Sequence, residues 1–100
     1  MAMLSWNIYE IHSLAHTLHG VKLRGRIRKF ALGHQITCLV ENALDAENLV
    51  RFALLPSEDL GPLMAFVQTI IPDAEIFQVL ASVPNPVLSK LKVNDVSRYA

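Results

Sequence analysis

The sequence predicts an α+β fold: an antiparallel sheet of four or five strands covered on one face by two helices. Three observations carry this. Two apolar, partly β-branched runs flank a polar turn. An apolar series at helical spacing is bounded by a cap and a proline. A cationic segment carries one apolar face. With 52% hydrophobic residues in 100, the chain can bury one core but not two, so a single domain over 1–100 is expected.

"QITCLVE", Gln35 to Glu41, and "NLVRFALL", Asn48 to Leu55, read as buried strands, too short for stable helices. The polar "NALDAE" between them has hairpin length, so the two strands pair antiparallel. Ser57, Glu58 and Asp59 then offer a cap and two acids at a helix start, with Pro62 tolerated in the first turn. Leu60, Leu63, Met64, Val67, Ile70 and Ile71 follow at helical spacing until Pro72. This helix spans roughly Glu58 to Ile71, with Met64 on its core face and Phe66 more exposed. "AEIFQVLASV", Ala74 to Val83, reads as a further strand. "SKLKV", Ser89 to Val93, alternates like a short edge strand with its lysines outward.

Arg24 to Gly33 reads as the other helix. Leu23, Ile27, Phe30, Ala31 and His34 share one face, the arginines line the opposite face, and Gly33 is placed to end it. The preceding "IYEIHSLAHTLHG" is ambiguous. Ile8, Ile11, Ala15 and Leu18 fit a helix, and local pattern leans that way, while its length and the glycine behind it suit a strand. As a strand, it makes the order β-α-β-β-α-β plus an edge strand, the split arrangement of a ferredoxin-like sandwich.

Charge is balanced overall but not locally. Lys22, Arg24, Arg26, Arg28 and Lys29 put five cations into eight positions, and no acid lies between Glu10 and Glu41. A glycine ahead of a basic helix is a place where backbone N–H groups can converge on an anion, and an arginine fork suits phosphate oxygens. One cysteine, Cys38, makes no internal disulfide and reads as a small buried hydrophobe. No apolar run approaches the roughly 20 residues that cross a bilayer. No membrane partner is therefore expected, and a cytoplasmic setting is.

"HGVKLR", His19 to Arg24, resembles the acylphosphatase signature, a Gln-Gly-Val, then a glycine or aromatic, an aromatic and an arginine. Gly20, Val21 and Arg24 match it, Leu23 stands for the aromatic, His19 for the glutamine, and Lys22 enters the loop. "CLVEN" keeps Val40 and Asn42 of the family's Gly-aromatic-Val-x-Asn motif, and 18 positions separate Arg24 from Asn42, as in that family. His16 replaces a glycine before the loop, and "ALDA" after Asn42 lacks the usual Asp-Gly turn.

The resemblance implies that the ambiguous segment is a strand. It also implies metal-independent hydrolysis of a carboxyl-phosphate anhydride, with Arg24 and Asn42 as catalytic residues and no cofactor. Backbone N–H groups from His19, Gly20, Val21, Lys22 and Leu23 would hold the phosphoryl oxygens with Arg24, and Asn42 would orient the attacking water. Small acyl phosphates or inorganic phosphate are the expected partners of a monomer. A degenerate relative that binds an anion or a protein is the alternative.

Two other readings rest on the residues alone. His12, His16 and His19 would share a helix face and could meet on a metal, but on a strand the cluster dissolves, so no metal site is expected. Arg24, Arg26, Arg28 and Lys29 could contact nucleic-acid phosphates, but neutral balance and scarce aromatics near the patch count against nucleic acid.

Overall fold

The structure, a computed structural model, describes residues 4–94. Strand β1 (Trp6–His12) leads through a long loop to helix α1 (Leu23–Gly33), then to β2 (Cys38–Asn42), β3 (Val50–Leu54), α2 (Leu60–Ile70) and β4 (Glu75–Val83). The sheet order is β2-β3-β1-β4, and every neighbouring pair is antiparallel. Each helix thus joins two strands that leave a gap for a third, which is the split β-α-β sandwich.

Both helices lie on one face. Leu23, Ile27, Leu63 and Val67 pack with Ile11, Val40, Val50, Phe52 and Leu54 in the main core, and Tyr9 stacks on Phe52 at 5.0 Å. Burial of these apolar side chains, at about 25 cal/mol per Å², is the main source of stability. Asp59, rather than Ser57, caps α2 by accepting the Gly61 N–H at 2.9 Å. Gly33 is the last residue of α1, as expected, but its φ is negative and it does not supply the left-handed residue of the helix end. Gln35 takes the left-handed conformation instead (φ 56°), and the Ile36 N–H closes the end on Ala31 O at 2.9 Å.

The opposite sheet face is also covered. Residues 84–94 cross it and do not form the fifth edge strand expected at Ser89 to Val93; within them Leu91–Val93 makes a single 3-10 turn. The alternation there reflects real exposure, since Lys90 and Lys92 face solvent while Leu91 and Val93 are half-buried. The backbone bonds, however, go to a loop and to side chains. Leu44 N–H donates to Ser89 O, Leu91 N–H to Asp45, and Val87 N–H to Asn94 Oδ1 at 2.6 Å. Under this strap Leu88 joins Trp6, Ile8, Ala53 and Val83 in a second, smaller core. No helix among the described residues is long and apolar enough to cross a membrane.

Candidate functional site

Of the site residues singled out by the sequence, all but Gly20 and Val21 meet at the start of α1. His19, Lys22, Leu23, Arg24, Gly25 and Asn42 line one recess of about 280 Å³. The strand order makes this meeting possible. β2 follows α1 and runs parallel to β1 across β3, so Asn42, the last residue of β2, lies at the sheet end where α1 begins.

The loop before α1 is fixed by two distant side chains. Asp73 accepts the Ser13 hydroxyl at 2.9 Å and the Leu14 and Ala15 N–H groups at 3.1 Å each, and pairs with His16 Nδ1 at 2.9 Å. Those donors, the Ala15 amide foremost and the His16 ring next, hold its carboxyl well below the usual carboxylate range. Asn48, itself left-handed (φ 50°), brackets the loop: its Oδ1 accepts the Leu18 N–H at 2.7 Å and its Nδ2 donates to Ser13 O and His16 O. Sequence reasoning missed both, because they lie 30 or more positions from the loop they hold.

Within the loop the five amides differ. Val21 N–H donates to Thr17 O, Lys22 N–H to His19 O and Leu23 N–H to Leu18 O. Among the described residues the N–H groups of His19 and Gly20 have no acceptor, and neither do those of Arg24 and Gly25 in the first turn of α1. Val21 is half-buried against the core rather than at the recess. Gly20 has a negative φ and room for a Cβ at ordinary contact with Thr17, so backbone geometry does not demand glycine there.

Lys22 does adopt a demanding geometry, φ 57° and ψ 43°, directly ahead of α1. A non-glycine residue in this region costs about 1 kcal/mol or more, and such strain gathers at functional sites. Arg24 is half-exposed and reaches Glu41 only at 4.0 Å, a distance and exposure that leave its guanidinium available. Asn42 Oδ1 is buried without a hydrogen-bond partner. A buried amide oxygen in that state is costly, and few native groups are left so.

The three histidines separate because β1 ends at His12 and leaves the other two in the loop that follows. His12 sits at the end of β1 against Glu10, His16 on Asp73, and His19 at the recess. Cys38 is half-buried, and desolvation, with Glu58 adding to it, pushes its thiol up to about 12, so it is no nucleophile here. No protein-family model, curated protein or solved structure matches the chain.

Proposed function

We propose that this recess binds the phosphoryl group of a small acyl phosphate and hydrolyses its carboxyl-phosphate bond without a metal or cofactor, in a cytoplasmic monomer. The observation that supports the reading is Asn42: the residue lines the same recess as Lys22 and Arg24, and its buried Oδ1 has no hydrogen-bond partner among the described residues. In this mechanism Arg24, Lys22 and the free amides of the loop and first helical turn hold the phosphoryl oxygens. Asn42, through its side-chain amide, orients the attacking water. The carboxylate leaves readily, and the substrate's phosphate takes the water's proton, so no general acid is required.

A second reading, an anion-binding module without turnover, is favoured by one observation: three of the five loop amides are already committed to turn bonds. Benzoyl phosphate hydrolysis in the presence of a chelator, beside titration with inorganic phosphate, separates the two. The enzyme reading expects turnover that Arg24→Ala abolishes together with phosphate binding, and that Asn42→Ala abolishes while phosphate still binds. Phosphate binding without turnover in the wild type selects the module. Neither binding nor turnover overturns both.

A further inference from the structure

The part of α1 that the anion recess leaves unused forms a second surface. Arg26, Lys29, Phe30 and Gly33 stand at i, i+3, i+4 and i+7, which is one stripe of a helix, and His34 follows directly. From α2, Phe66 reaches the same stripe. Phe30 stacks on Phe66 with centroids 4.3 Å apart and planes 14° apart, and on His34 at 4.1 Å and 25°. Three rings therefore stand in a row beside an apolar recess of about 220 Å³ rimmed by Arg26 and Lys29. Gly33 keeps the recess open, since a Cβ there would meet nothing within 4 Å.

The charge around this row is uncompensated. Arg24, Arg26, Arg28 and Lys29 are all exposed, and among the described residues only Arg24 of the four has a carboxylate within 4.0 Å. Flat rings beside unneutralised cations are the two elements that hold a single strand: bases stack on aromatic faces, and phosphates pair with arginine and lysine. A second copy would bring Arg26 and Lys29 against their own equivalents, which like charges oppose. A purely apolar partner would strip water from both cations without replacing it. The four cations lie within the first two turns of the helix, from Arg24 to Lys29, an axial rise of about 8 Å.

We infer that the α1 stripe from Arg26 to His34, completed by Phe66, binds single-stranded nucleic acid, with one base extending the ring row and adjacent phosphates on Arg26 and Lys29. The scarcity of aromatics that counts against nucleic acid in the sequence is met in the fold, because Phe66 arrives from the other helix.

Fluorescence anisotropy of a labelled ten-nucleotide oligo(dA) at low salt tests this. Saturable binding is expected, weakening with salt. Arg26→Ala with Lys29→Ala should make the log-log salt slope shallower by about 1.4, at roughly 0.7 per phosphate contact on a single strand. Phe66→Leu should weaken binding roughly tenfold at fixed salt and leave the slope unchanged. Gly33→Gln fills the recess from the solvent side without touching the core or the charge, and should weaken binding similarly, so it carries the test should Phe66→Leu fail to fold. Absence of binding at low salt, binding indifferent to both Phe66→Leu and Gly33→Gln, or AMP binding as tightly as the oligonucleotide would each overturn the inference.

Discussion

Arg51 donates from Nε to Glu10 Oε2 at 2.7 Å beneath the strap, on the sheet face away from the helices. Its other nitrogens grip Asp45 bidentately at 2.6 and 3.2 Å, and one also donates to Leu88 O at 3.2 Å. The Arg51 side chain is only 4% exposed. One guanidinium thus joins β1, β3, the β2–β3 loop and the strap. Arg51→Ala leaves the Glu10 carboxylate without its buried partner and should destabilise the fold by about 3 kcal/mol in urea unfolding. A loss below about 1 kcal/mol would show that the strap holds without it.

Asp45 and Asp73 set the acid limit of stability. The Arg51 side chain, then the Leu91 amide, lower Asp45 to about 2 from an ordinary 3.8, and Asp73 is also depressed. Depressed carboxyls contribute stability that is complete above the unfolded value and is lost as pH falls through the folded one. Stability should therefore decline as pH drops from about 4 toward 2. Asp73→Asn should lower stability at neutral pH and flatten that decline, as urea midpoints across the range will show.

The candidate site should trade stability for binding. Replacing Asn42 by Val removes a buried oxygen that has no partner and places a β-branched residue at a strand end, so the melting temperature should hold or rise. Lys22→Gly relieves the left-handed strain and should also hold or gain stability, by up to about 1 kcal/mol, while phosphate affinity falls. A clear drop in melting temperature for Asn42→Val would mean that Oδ1 is structurally engaged.

Glycine is absent where the end of α1 would use it and present where the helix would not. Gln35→Gly supplies the left-handed residue, and Gly25→Ala fills open space inside the helix. Each should add about 0.5–1 kcal/mol, measured by thermal or urea unfolding.

How the elements showed in the sequence depended on what covers them. Leu23, Ile27 and Ala31 recur every four positions because α1 has one buried face, and that pattern was legible. β3 read as an unbroken apolar run because both of its faces are covered, with Arg51 the one charge inside it. The same double coverage obscured β1: Ile8 lies under the strap and Ile11 under the helices, so alternation vanished and a helical spacing took its place. The strap was misread because its alternation is real while its hydrogen bonds go to a loop and to side chains rather than to a neighbouring strand. At the site, Arg24 and Asn42 could be paired through the acylphosphatase resemblance. Asp73 and Asn48 could not, since only tertiary structure brings a side chain 30 or more positions away onto a loop.

β1 is the earliest of the four strands and lies inside the sheet, yet its partners begin only at Val50 and Glu75. As the chain is synthesised, this strand emerges long before either neighbour, with two apolar faces and two open hydrogen-bonding edges. The β2–β3 hairpin can close by itself, but β1 must wait for β4 before both its edges are satisfied. Such long-range pairing slows folding and leaves a sticky segment uncovered on the ribosome. Trp6 to His12 is therefore the stretch that waits longest for its partners in a nascent chain.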